Sequence, residues 1–173
     1  MTIKFQKYQH PKDYQNISNF LIQNYQPGNR DGNWLEPAWE YMHGHPGLDP
    51  DHLSRIGIWE EAGEIVAVAN YESGLGEAFF QFKTGYEDLR EQMLDYAETH
   101  LASEDCCLHA FVNDTDQAFT ALVQSRSYVH VPQEDRPLSS FTIPEDFPGI
   151  TLPQGFRLLS LAEEADWAKV HTV

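Results

Sequence analysis

Residues 55–71 read RIGIWEEAGEIVAVANY, two runs rich in β-branched and aromatic residues joined by Glu-Ala-Gly-Glu. Two such runs around a short Gly-containing turn signal a β-hairpin, and a hairpin commits the chain to antiparallel pairing. A third strand is expected over residues 77–82, EAFFQF. Near the N-terminus Ile3, Phe5 and Lys7 alternate with Lys4, Gln6 and Tyr8, as in a half-buried strand. A helix follows there, with Tyr14, Ile17, Leu21 and Asn24 or Tyr25 on one face.

The remaining elements are placed by the same periodicity. Residues 26–33 form a Gly-, Pro- and Asn-rich loop, and residues 34–42 a second short helix with Pro37 tolerable in its first turn. The clearest helix spans residues 86–101, with Leu89, Met93, Tyr96, Ala97 and Leu101 on one face and acids in its first turn. A short apolar strand is expected over residues 106–112. Asp114 or Thr115 is placed to cap a helix carrying Ala118, Phe119, Leu122 and Val123, and another strand starts over residues 128–131. Beyond it, RPLSSFTIPEDFPGITLPQG combines a last strand over residues 138–143 with the prolines and glycines of a domain end and linker.

Composition narrows the function classes. Twenty-seven acidic against 11 basic residues give a formal charge of −16, which excludes nucleic acid as a partner and disfavours an anionic membrane, because phosphate binding needs clustered Lys and Arg. No apolar run reaches membrane-spanning length and MTIKFQKYQHPKD lacks a signal-peptide pattern, so a cytoplasmic protein is expected. Adjacent Cys106 and Cys107 disfavour a mutual disulfide and are expected as reduced core residues.

The element order β-α-α-β-β-β-α-β-α-β resembles the GCN5-related N-acetyltransferase family over residues 3–143. That resemblance implies an α/β (α+β) fold, with a mixed, mostly antiparallel central sheet flanked by helices. It implies acetyl-CoA as co-substrate and a small-molecule or peptide amine as acceptor. In the family a turn of Gln or Arg, two residues, Gly, one residue, then Gly or Ala presents backbone N–H groups and a helix dipole to the cofactor pyrophosphate. The matching segment is Gln81, Phe82, Lys83, Thr84, Gly85 and Tyr86. Gln81 fits, but Thr84 and Tyr86 stand at the two small positions, with the lone Gly85 between them. Glu87 and Asp88 add carboxylates that satisfy the dipole internally and repel a diphosphate, against which Lys83 and Arg90 compensate only partly.

Family members place a tyrosine general acid where this chain has Val123, and Tyr128 belongs to the expected next strand. A general base falls to Glu72 or Glu77. The loop HGHPGLDPDH gathers His43, His45, Asp49, Asp51 and His52, yet its prolines and glycines read as a surface turn with capping Asp residues and no metal site. Trp34, Trp39 and Tyr41 either line an acceptor cleft or pack in the core.

At the C-terminal end FRLLSLAEEADWAKV lies over IKFQKYQHPKDYQNI without a gap, pairing Asp166 with Asp13, Trp167 with Tyr14 and Val170 with Ile17. Two explanations stand: chance likeness of two strand-to-helix units, or a tandem repeat. A repeat gives an acetyltransferase-like domain at 1–146, a linker at 147–155 and the start of a second such domain at 156–173, which is then the expected partner. Homo-oligomerisation through the aromatic face or the terminal segment is a further expectation. The chain is accordingly either an acetyltransferase domain whose own cofactor turn has degenerated, or a non-catalytic scaffold that shapes a neighbouring copy. A tandem repeat predicts that residues encoded after Val173 include Gln or Arg followed by a Gly-x-Gly turn. A continuation lacking that turn contradicts catalysis in a second copy.

Overall fold

The computed structural model describes residues 2–26, 34–137, 142, 144–146, 149 and 151–157. The chain divides into two units, Met1–Ser139 and Ser140–Val173, and all the regular elements described below lie in the first. These are β1 (Lys4–Lys7), α1 (Tyr14–Gln23), α2 (Glu36–Gly44), β2 (Gly57–Glu61), β3 (Glu64–Asn70), β4 (Glu77–Phe82), α3 (Arg90–His100), β5 (His109–Phe111) and α4 (Gln117–Ser125). Single 3-10 segments cover Pro50–Arg55, Glu87–Leu89 and Pro132–Glu134. None of the described helices is long and apolar enough to cross a membrane.

The hairpin forms as its turn chemistry demands. Ala62 and Gly63 both adopt positive φ, +53° and +87°, the conformation that lets a two-residue turn follow the twist of its strands. The sheet is five-stranded in the order β1-β2-β3-β4-β5, antiparallel except for the parallel β4–β5 pair. It is therefore the mixed, mostly antiparallel sheet flanked by helices expected from the sequence.

Strand alternation sorts the core into two layers. One face carries Phe5, Trp59, Phe80 and Phe82, with Phe5 packing on Trp59 at 5.3 Å and on Tyr96 of α3 at 4.8 Å, and Phe80 meeting Phe119 of α4 at 5.0 Å. On the other face Trp34 lies against Phe79 at 4.4 Å, and Tyr8 meets Trp39 of α2 at 5.3 Å. The apolar stripe of α3 closes the first layer. Met93, Leu94, Ala97 and Leu101 are fully buried, and each large side chain among them stabilises the fold by about 1.5–3 kcal/mol.

The β4–β5 ladder is short. Its register runs Glu77↔His109, Ala78↔Ala110 and Phe79↔Phe111, whereas β4 continues to Phe82, still paired with Ala67 of β3. The C-terminal end of β4 thus leaves its parallel neighbour just before the turn into α3.

Several local expectations are corrected. The second helix begins at Glu36, with Pro37 in its first turn, where the missing N–H is harmless. Tyr25 is exposed and off the α1 core face, which is formed by Ile17, Phe20 and Leu21. Only His109–Phe111 of the expected strand over residues 106–112 is extended, because Cys106 takes φ +63° in a turn where Ser103 bonds both the N–H and the C=O of Cys107. Both cysteines are therefore exposed free thiols, not core residues. Asp116, not Asp114 or Thr115, caps α4, accepting the Phe119 N–H at 3.0 Å. Residues 128–131 form no strand: Ser127 at φ +68° turns the chain back so that the Tyr128 N–H bonds Val123 O, and Val129 points to solvent. Most of the strand expected over residues 138–143, the loop at 27–33 and the repeat from residue 158 onward lie outside the described residues.

Gly57 marks the tightest approach of the sheet to α3. A Cβ there would lie 2.7 Å from Tyr96 Cε1 and 3.2 Å from Trp59 Cη2, and both rings are wedged in the core. Gly57→Ala is predicted to destabilise the protein by about 1–3 kcal/mol in urea denaturation, through overpacking. A change below about 0.5 kcal/mol, the range of neutral surface substitutions, would show that Tyr96 is free to yield.

Candidate functional site

The turn from β4 into α3 is the place where an anion would meet backbone N–H groups. Gly85 supplies the conformation this turn needs, φ +92°, with open space around it. Its N–H is already used. It donates to Glu87 Oε1 at 2.9 Å, and this bond is the largest of the effects that hold the Glu87 carboxyl below its ordinary range. The next amide, of Tyr86, donates to Lys83 O, and that of Leu89 to Tyr86 O. Tyr86 anchors the turn by donating its hydroxyl to Glu61 Oε2 at 2.7 Å, which raises the phenol above its usual range.

The two cations beside the turn are also engaged. Lys83 Nζ lies 3.1 Å from Glu64 Oε2 on the hairpin, and Arg90 Nε donates to Asp116 Oδ2 at 2.8 Å while its guanidinium covers the Phe82 ring at 5.0 Å. Arg90 also donates to Glu87 O. Gln81 and Phe82, the first two residues of the expected cofactor segment, are buried strand residues on opposite faces of the sheet, with Gln81 opposite Val68 and Phe82 opposite Ala67. A pyrophosphate does not fit this arrangement. It would have to displace a carboxylate from Gly85 and break two ion pairs in the presence of Asp88.

Glu72 and Glu77 lie just past β3 and at the start of β4, and the structure brings them together on one cation. Arg136 bonds Glu72 Oε2 through Nη1 and reaches Glu77 Oε1 through Nη2 at 3.5 Å. Its guanidinium lies 4.4 Å from the Phe111 ring centre and 5.1 Å from that of Phe79, and the two rings stack at 4.5 Å and 4°. Among the described residues Glu77 Oε2 is buried without a hydrogen-bond partner, as is the indole nitrogen of Trp34 behind Phe79. The general-acid position, Val123, is half-buried apolar packing on α4. Tyr128 donates to Glu98 at 3.2 Å, and burial, reinforced by the Glu98 charge, pushes its phenol up to about 12.

No family model matches the sequence, and no curated protein matches it. Among solved structures the chain is similar to the ribosomal-protein-S18-alanine N-acetyltransferase from Escherichia coli, with 17% identity and a TM-score of 0.43, over 72% of this chain and 76% of that one. A likeness this distant assigns no activity.

Arg136 was not singled out by the sequence pattern, since one arginine in an irregular proline-bordered segment carries no periodic signal. A second unanticipated group lies on the α2 face. The carbonyl of Trp39 can only accept, so His43 Nδ1, at 2.9 Å, carries its proton and Nε2 is the acceptor. Tyr8 then donates to His43 Nε2 and accepts from His10 Nδ1, both at 3.0 Å. His45 instead packs on Tyr41, while Asp49 accepts the Asp51 N–H and meets His52 at 3.4 Å. Among the described residues no three His, Cys, Asp or Glu side chains converge as a metal-binding group. Trp39 is core, whereas Tyr41 is exposed.

Protonating His43 would set a second N–H against a Tyr8 oxygen already used by His10. Burial, the largest effect, lowers the His43 imidazole below its ordinary 6.5, and His10 lowers it further. The unfolded chain therefore takes the proton first, so this contribution to stability is complete above about pH 6.5 and declines as pH falls toward the lower folded value. The His43 ring is predicted to titrate by NMR with a midpoint below 6.5. A midpoint at or above 6.5 contradicts the assigned donor pattern.

Proposed function

We propose that this chain is a GCN5-related acetyltransferase-like domain whose cofactor turn has been closed by its own carboxylate. It acts as a non-catalytic partner of an acetyl-transferring domain in a longer protein. The observation that carries the reading is the Gly85 N–H bonded to Glu87, at the one glycine of the turn where the family presents its backbone to pyrophosphate. The pairing of Arg90 with Asp116 supports it, because both side chains are mostly buried and the guanidinium is held on that carboxylate, whereas the exposed Lys83–Glu64 pair adds little.

In this reading Glu72 and Glu77 act as ligands of Arg136 and not as relays for an amine proton, and Val123 leaves the acid position without a proton donor. The likeness of residues 156–170 to residues 3–17 supports a second copy as the partner. Transfer to an amine would then take place there, with the present domain shaping the acceptor side.

Acetyl-CoA is predicted to leave the melting temperature of the 173-residue chain unchanged. By mass action a ligand at 100 times its Kd adds about 2.7 kcal/mol, so a site of about 10 μM would be plain at about 1 mM. A rise of several degrees at that concentration would overturn the proposal and restore a cofactor-binding domain.

A further inference from the structure

The structure assigns Glu72, Glu77, Phe79 and Phe111 to a receptor for an alkyl guanidinium group, and makes Arg136 its resident occupant, which a free ligand must displace. This goes beyond the reading of the cofactor turn and is independent of it. It would hold for a catalytic domain as well.

The four side chains supply complementary halves of one recognition surface. Phe79 and Phe111 are stacked at 4.5 Å, and the guanidinium carbon of Arg136 stands 4.4 Å from one ring centre and 5.1 Å from the other, within the range of cation–π attraction. Glu72 and Glu77 supply acceptors for two different guanidinium nitrogens. A planar fork between an aromatic face and two carboxylates matches the geometry of a guanidinium, and a compact ammonium cannot use both nitrogen positions at once.

Two observations make Arg136 a replaceable occupant. First, its contact with Glu77 is long, 3.5 Å, and the other Glu77 oxygen is buried with no partner among the described residues, so the receptor has acceptor capacity that Arg136 leaves unused. Second, the arginine side chain is 44% exposed and hangs from residues 135–137, which belong to no helix or strand, while its carboxylate partners are only 25% and 29% exposed. Glu77, Phe79 and Phe111 sit on the paired strands β4 and β5, which fixes their backbone. Half-exposed ion pairs of this kind hold weakly enough for exchange.

The test is calorimetric titration of the 173-residue chain with butylguanidinium, comparing the wild type with Arg136→Gln. The variant is expected to bind at least tenfold more tightly than the wild type, and adding Glu72→Gln and Glu77→Gln to it should abolish that gain. Equal affinity of wild type and variant, or affinity that survives loss of both carboxylates, would overturn the proposal. If Arg136→Gln does not fold, the wild type itself decides: excess butylguanidinium should move the Arg136 Nε–H resonance to the position of free arginine. A resonance that does not move would mean that Arg136 is a permanent strap. Binding of acetyl-CoA in the same titration would contradict the closed cofactor turn and leave this inference standing.

Discussion

Strand β4 carries the architecture because both of its faces and both of its edges are used. Phe79 faces Trp34 on one side, Phe80 and Phe82 face the α3–α4 layer on the other, and the strand pairs antiparallel with β3 and parallel with β5. A near-continuous apolar run, Ala-Phe-Phe-Gln-Phe, is what such a position demands, since alternation with polar residues would leave one layer unfilled. From that strand the two candidate regions follow by direction alone. Its N-terminal end presents Glu77 and Phe79 to Arg136, and its C-terminal end leads through Gly85 into α3.

Charge determines what those two ends can do. In a chain with 27 acidic and 11 basic residues, the cations near the sites are drawn into internal pairs. Lys83 goes to Glu64, Arg90 to Asp116, Arg126 to Glu91, Asp95 and Glu98, and Arg136 to Glu72 and Glu77. The pairs at the surface add little to stability individually. Their larger consequence is chemical, because each pair must be separated before its cation can meet an external anion. The same surplus of carboxylate lets Glu87 accept the Gly85 N–H from within the chain.

The parts of the fold legible in the sequence were those whose signal is local. The hairpin was written in Ala62 and Gly63 between two β-rich runs, and α3 in the spacing of Leu89, Met93, Ala97 and Leu101. The poorly legible parts depend on partners distant in sequence. Cys106 and Cys107 look apolar, but Ser103 draws their backbone into a turn, and residues 128–131 have β-forming side chains with no ladder to join among the described residues. At the turn from β4 into α3, Gly85 and the acids behind it were readable, whereas the bonds from Lys83 to Glu64 and from Tyr86 to Glu61 needed the hairpin to be folded beside them. The meeting of Glu72 with Arg136, 64 residues apart, is a tertiary fact with no sequence signature.

The account stands on the bond between Gly85 and Glu87, and the amide proton of Gly85 reports it directly. Its NMR shift, followed through an acid titration, is predicted to change with a midpoint below 4.5, the ordinary glutamate value, as Glu87 takes up its proton. At neutral pH, added inorganic pyrophosphate should leave the same resonance in place. A midpoint at or above 4.5, or a shift on adding pyrophosphate, would show that the turn is open to an anion and that Glu87 does not close it.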